Sequence, residues 1–372
     1  MVMAAKIALY MAGGGARGAY QAGVLKAISH ILQVKTMPFA VISGVSVGSI
    51  NAAVLAENAH DFPMGVAKLE AIWAEIRCQH IFNASNYELS KSVLRNLTHL
   101  IIKQRQTGHL LDTQPLREFI ISNIDFALIE NNINEKYFEA MEVISHCYET
   151  QQTISFYHND SQPFEDWHYP RHVSQKTNIK MEHILASSAL PLFFPTVSID
   201  GFHYGDGSMG LVSPLRGAIR FQVDKILILG TRQQATFHEP DMIRNGDVGF
   251  ANILGGMLNG LFLDNLDRDI EMVNRMNDIA RLLSMWKKRR SPWRPIETFN
   301  LRPSIDVADI AQAQYNSMPA LLRFLLNVLG AKNHSGDLLS FLLFEPGFTR
   351  ELTELGYKDT IALANDVQKF FA

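Results

Sequence analysis

Cysteine is nearly missing from this chain: Cys78 and Cys147 are the only two among 372 residues. Two thiols cannot build a disulfide framework, so stability must come from a packed core and a reducing compartment is expected. No uninterrupted apolar run reaches the ~18 residues that span a bilayer, which excludes an obvious transmembrane helix. Charge of one sign is also lacking, since 34 Lys and Arg face 37 Asp and Glu for a net charge of −3. That balance gives no overall pull toward nucleic acid. The first apolar run, Ile7 to Ala12, passes straight into glycines and leaves no room for a cleavable signal. A cytoplasmic protein, peripheral at a membrane if membrane-bound at all, is the expectation, with export by a dedicated secretion machine left open. What is abundant is apolar side chain, 47% of residues, enough for a large core and about two structural units.

The most informative local feature is Gly44-Val45-Ser46-Val47-Gly48, placed directly after the apolar run Phe39-Ala40-Val41-Ile42 and before Ser49-Ile50-Asn51-Ala52-Ala53-Val54. A serine on a tight strand-to-helix turn needs small neighbours two positions away on each side, which Gly44 and Gly48 supply. The following helix aims its free N–H groups and positive dipole end back at the serine oxygen. The bare string arises by chance in roughly one chain of this length in eight, so the strand–turn–helix context carries the assignment of Ser46 as a candidate nucleophile.

A second strand-like run, Lys6 to Met11, is followed by Gly13-Gly14-Gly15-Ala16-Arg17-Gly18, opening a helix through about Ile31. Such a loop presents backbone N–H groups to an anion. It also fits the Gly-x-Gly-x-x-Gly dinucleotide fingerprint, but that site wants an acidic residue at the end of the next strand. Here the next strand ends in the serine turn, and the nearest downstream acid, Glu57, lies inside the following helix. An oxyanion hole for acyl transfer is the better use of the loop, and no cofactor or metal is expected.

A serine hydroxyl needs something to take its proton. None of the 13 histidines is placed for that task. Asp206, in Gly205-Asp206-Gly207-Ser208, is the better candidate, because a partly desolvated carboxylate gains basicity. The competing interpretation is a plain Asp-Gly hairpin turn.

Together these motifs resemble the patatin-like phospholipase family in its bacterial form. The resemblance covers roughly residues 5–230. It includes Gly13 to Leu25, the turn at Ser46, the segment Ala186-Ser187-Ser188-Ala189-Leu190-Pro191-Leu192-Phe193-Phe194-Pro195, the acid motif at Asp206, and the strand Lys225 to Leu229. It implies a Ser-Asp dyad without histidine, with Ser46 as nucleophile and Asp206 as base. It further implies oxyanion donors from Gly13, Gly14, Gly15, Ala16, Arg17 and Gly18, joined by the N–H of Val47. In the acid motif Gly207 is followed by Ser208, where the family usually has Gly or Ala. Met209-Gly210-Leu211-Val212 replaces the usual Asn-rich stretch. The implied activity is hydrolysis of fatty-acyl esters of phospholipids or related lipids through an acyl-enzyme. Acyl transfer by the same dyad and a non-catalytic, membrane-associated scaffold are the alternatives.

The expected fold is a three-layer α/β/α sandwich around a mostly parallel sheet: a catalytic domain at 5–230 and a mainly helical region at 231–372 packed on it. Residues 64–125 read as mostly helical, with helices at Met64 to Arg77 and Pro115 to Ile124. Strands are expected near Glu142 to Tyr148 and Thr153 to Tyr157, and Asn159 to Ser174 reads as an irregular loop. Ser187 and Ser188 read as lining or capping a helix end. Leu321 to Leu329 reads as a core helix, with an acyl-pocket wall as the sharper option, and Ile296 to Leu301 as an added strand. Trp286, Lys287, Lys288, Arg289, Arg290 and Trp293 form a basic patch between tryptophans. It resembles an interfacial membrane anchor, against the plainer reading of a solvated helix end. No nucleic-acid partner is expected, and the sequence does not specify an oligomeric state.

Overall fold

The computed structural model describes residues 5–83, 110–160, 166–233, 250–262, 264–282, 294–319, 323 and 336–372. The basic patch at 286–293 and all of the Leu321 to Leu329 segment except Arg323 lie outside them.

The first strand, β1 (Ile7–Met11), is buried along its whole length, as expected for an apolar strand covered on both faces. A 3-10 turn at Gly15–Gly18 leads into α1 (Ala19–Leu32). Then follow β2 (Val41–Val45), α2 (Val47–Glu57) and α3 (Phe62–Glu75). Asp61 caps α3 by accepting from Met64 N at 3.0 Å, the usual satisfaction of a free first-turn donor. Two helices, α4 (Gln114–Asn123) and α5 (Phe126–Asn134), precede the paired strands β3 (Ala140–Cys147) and β4 (Gln152–Asn159).

Beyond β4, the expected loop is partly ordered sheet. β5 (His168–Tyr169) and β6 (His172–Lys176) pair with each other, and β6 runs parallel to β4. The sequence hid this because Asp166, Ser174 and Trp167 satisfy one another locally: Ser174 Oγ accepts from Trp167 N and donates to Asp166, both at 2.9 Å. Next come α6 (Met181–Ser187), β7 (Val197–Ile199), β8 (Phe202–Asp206), α7 (Arg216–Arg220) and β9 (Lys225–Leu229). The remaining elements are α8 (Phe250–Phe262), α9 (Asp264–Leu282), β10 (Glu297–Leu301), α10 (Val307–Ala313), α11 (Gly336–Leu342), α12 (Pro346–Ala362) and α13 (Ala364–Phe371).

The sheet order is β10-β9-β1-β2-β3-β4-β6-β5, and the run from β10 to β3 is parallel. Strand alternation sorts side chains into two layers. Leu9, Met11 and Ile42 point into a large core with α1, α2, α3 and α12. Ala8, Tyr10 and Val41 point into a smaller one with α7 and α9. The result is a three-layer α/β/α fold with a mostly parallel central sheet. β10 extends that sheet, and α12 packs along α1 so closely that Gly23 and Gly356 each leave no room for a side chain. Among the described residues no helix is long and apolar enough to cross a membrane.

Candidate active site

Ser46 sits between β2 and α2 with φ 55° and ψ −131°, a strained backbone that a non-glycine residue holds only when its surroundings impose it. Those surroundings are specific. The Ser46 amide donates to Ser187 Oγ at 2.9 Å, and Ser187 Oγ donates to the carbonyl of Ile144 at 2.6 Å. The Ser46 carbonyl accepts from Ser188 Oγ at 3.2 Å, Ser49 Oγ at 2.6 Å and Ser49 N at 2.9 Å. A Cβ on Gly48 would overlap the Met11 carbonyl, and one on Gly44 would overlap Gly48. The two glycines are therefore required by close approach of β1, β2 and α2. Ser187 and Ser188, read from sequence as lining or capping a helix end, are the polar brace of the turn.

Asp206 reaches the same place through the sheet. Residues 140–144 of β3 pair with β2, and residues 145–147 pair with β8. Since β4 occupies the other edge of β3 along its full length, β2 and β8 share one edge and meet end to end. The segment from Ser187 to Ala189 holds both ends: Asp206 N donates to Ala189 O at 3.0 Å and Gly207 N to Ser187 O at 3.3 Å. Gly207 also lies so close to Ile144 O and the Val45 side chain that a Cβ would not fit.

The Asp206 carboxyl is fully buried. Burial pushes its pKa up to about 6, against hydrogen bonding from Ser46 and Ser208, which favours the charged form. Oδ1 accepts from Ser208 N at 2.9 Å. Ser208 thus keeps the acid turn closed despite replacing the usual Gly or Ala. Oδ2 has no hydrogen bond within normal reach among the described residues. The Ser46 hydroxyl is near enough to influence the carboxylate without forming a short bond to it. Contacts between a nucleophile and its base are commonly long without substrate, so this spacing is compatible with a proton-transfer pair.

The glycine loop faces the turn. Gly14 and Gly15 have φ of 149° and 55°, and the Val47 side chain lies against Gly18. The loop carbonyls are tied down: Ala12 O accepts from Gln21 Nε2 at 2.8 Å and Gly13 O from Thr231 Oγ1 at 2.6 Å. Gly14 O accepts from Arg17 N at 3.2 Å and Gly18 O from Asn51 Nδ2 at 3.1 Å. The amides of Gly13 and Gly14 have no acceptor among the described residues. A loop with bound carbonyls and free amides is an anion cradle. Gln21, Asn51 and Thr231 were not singled out from the sequence; nothing local marks a buried amide or hydroxyl that reaches a distant loop.

One expected donor is corrected. The Arg17 side chain, only 1% exposed, turns into the C-terminal region. Its Nε donates to Ser340 Oγ at 2.7 Å, its Nη2 lies 3.2 Å from Asp337 Oδ1, and its guanidinium stacks 4.3 Å over the Phe341 ring. Burial lowers its pKa only to about 10, so it stays charged. Its Nε and Nη2 are thus turned toward α11 rather than toward Ser46, which leaves the loop backbone as the nearer source of donors for an anion at the turn.

Ser46 and Gly15 open onto an apolar cleft of about 640 Å³, counted with the solvent at its mouth. Its walls include Ile50, Val54, Trp73, Phe119, Phe341 and Phe344, so α11 and the residues after it form one side. Few polar groups line it, which suits a hydrocarbon chain whose reactive end stops at Ser46.

The fold and the site define an α/β protein with a strained, glycine-flanked serine at the carboxyl end of a parallel strand. The family model for patatin-like phospholipase matches residues 9–219. The chain belongs to that family, which implies lipid acyl hydrolase activity. Among solved structures the chain is similar to VipD from Legionella pneumophila, with 12% identity and a TM-score of 0.38 over 97% of this chain and 67% of that one. No curated protein sequence matches it.

Proposed function

We propose that the protein hydrolyses fatty-acyl esters of phospholipids or related lipids through a Ser46–Asp206 dyad and an acyl-enzyme. The observation that supports this reading is the convergence of the buried Asp206 on the strained Ser46, which itself lines an apolar cleft. Ser46 Oγ attacks the acyl carbonyl while its proton passes to Asp206 Oδ2, the carboxylate oxygen with no other bond. The tetrahedral oxyanion is held by the free amides of the glycine loop and by the first-turn amide of Val47. Asp206 then returns the proton to the departing alcohol, and the acyl group stays on Ser46 as an ester. Water, giving its proton to Asp206, attacks that ester; the proton returns to Ser46 and the fatty acid leaves.

With an Asp206 pKa of about 6, the carboxylate is mostly ionised at neutral pH and still basic enough to accept a proton. A base far below the operating pH would be a poorer acceptor. The test is mass spectrometry of products from mixed lipids in oxygen-18 water. The proposal expects one heavy oxygen in the released fatty acid, lost in Ser46→Ala. Unlabelled acyl groups moved onto an added alcohol would instead establish acyl transfer. Hydrolysis that survives Ser46→Ala would rule out the dyad.

A further inference from the structure

An ester has two arms, and the apolar cleft accounts for one. A second recess, more polar than the cleft, shares Leu116, Ser188 and Phe194 with it as a common border. It measures about 790 Å³ with the solvent at its mouth and lies between the start of α4 and the α6–β7 segment. Ser188 ties this border to the reacting centre, since its hydroxyl donates to the Ser46 carbonyl. A leaving alcohol must depart from the Ser46 side without re-entering the hydrocarbon cleft, and this recess adjoins the turn.

Its charges are of both signs. Arg117 Nη2 stands 3.6 Å from Glu182 Oε1, with the two side chains 45% and 39% exposed. That distance is too long for a charge-assisted hydrogen bond, and an exposed, loose pair adds little stability. Asp112 adds a second carboxylate. It is held in place by Asn83 Nδ2 at 2.5 Å and by the Gln114 amide at 3.0 Å. The recess therefore offers a guanidinium fork beside two carboxylates, a pattern that complements a dipolar ligand. A neutral alcohol would leave both signs unused, and a purely anionic group would meet Glu182 and Asp112.

We propose that this recess holds the leaving head group and that it favours a zwitterionic phospholipid. Arg117 takes the phosphate through two N–H groups, while Glu182 and Asp112 face the ammonium. The assignment rests on the lipid hydrolase reading above and narrows its substrate class. A charge-assisted contact is worth about 10- to 100-fold in affinity.

The experiment measures kcat/KM on four substrates of matched acyl chain: a phosphatidylcholine, a phosphatidylglycerol, a diacylglycerol and a methyl ester, all in mixed micelles. The wild type is expected to prefer phosphatidylcholine. Arg117→Gln is expected to lower the phosphatidylcholine-to-methyl-ester ratio about tenfold, and Glu182→Gln to shift preference toward phosphatidylglycerol. Soluble phosphocholine should bind the Ser46→Ala protein more tightly than inorganic phosphate, and lose that advantage in Ser46→Ala combined with Glu182→Gln. Substrate ratios unmoved in both single variants, or no preference among lipids by a wild type that cleaves the methyl ester, would overturn the head-group assignment alone. A wild type inactive on all four substrates would overturn the hydrolase reading with it.

Discussion

Val45 and Asp206 occupy successive places along one edge of β3, the first opposite Ile144 and the second opposite Ser145. β2 and the antiparallel strand β8, from much later in the chain, run toward each other along that edge and end at the same place, so the residue after Val45 and the last residue of β8 share one spot. The backbone ladder, not a side-chain contact, sets their separation. Side-chain changes around the cleft should therefore alter substrate choice before they alter dyad geometry.

The pH dependence of kcat/KM follows from the buried carboxyl. In the proposed mechanism only an ionised Asp206 can accept the Ser46 proton, and its pKa is pushed up to about 6. Activity should rise through an acidic limb with a midpoint near pH 6, and fall about tenfold per pH unit below it. A pH–rate profile checks this, and an acidic midpoint near 4 would show an ordinary, solvated carboxylate.

The same shift bears on stability with a definite sign. The folded chain holds the Asp206 proton more tightly than the unfolded chain, whose carboxyl titrates near 3.8. Stability therefore declines as pH rises from about 4 to 6 and stays lower above that range, by about 3 kcal/mol for this group. Asp206→Asn, which cannot ionise, should be inactive yet more resistant to urea than wild type at pH 8, with the advantage fading by pH 4. Equal or lower resistance at pH 8 would contradict a desolvated carboxylate.

Ser187 braces the strained turn by accepting from the Ser46 amide and donating to Ile144. Ser187→Ala leaves two buried backbone groups unpaired, at about 1–3 kcal/mol each. Because the turn loosens while the apolar cleft is untouched, kcat should drop by about 10- to 100-fold with KM little changed. Steady-state kinetics beside a urea titration separates the effects; a KM increase at constant kcat would assign Ser187 to substrate binding.

Arg17 offers the opposite test. Its guanidinium is committed to Ser340, Asp337 and Phe341, so Arg17→Met and Ser340→Ala should both weaken the packing of α11 against the glycine loop. Each should lower stability, by about 1–3 kcal/mol for the buried Nε left unpaired in Ser340→Ala. Below the unfolding transition, kcat of Arg17→Met should fall far less than the ~100- to 1000-fold that removal of an oxyanion donor causes. A fall of that size, with Ser340→Ala unaffected, would return the side chain to the oxyanion site.

Much of this architecture was legible in local sequence. Alternating strands and helices over residues 5–60 gave the parallel sheet, and the glycines around Ser46 marked a turn that tolerates no bulk. The glycine run marked a loop able to bind an anion. What stayed hidden depends on long-range contact. Nothing near Arg17 reveals that its Nε and Nη2 reach Ser340 and Asp337, more than 300 residues later. Gln21, Asn51 and Thr231 look like ordinary polar residues until the loop carbonyls they bind are seen. Strand β6 was missed because its residues are polar and partly exposed, and its pairing with β4 overrides weak strand propensity.

The most direct test of the central claim is peptide mapping of the protein after reaction with an alkyl fluorophosphonate, in wild type and in Asp206→Asn. The account predicts one phosphonate adduct on Ser46 in the wild type and a sharply slower reaction in Asp206→Asn. Labelling of another serine, or equal rates at Ser46 in both proteins, would contradict it.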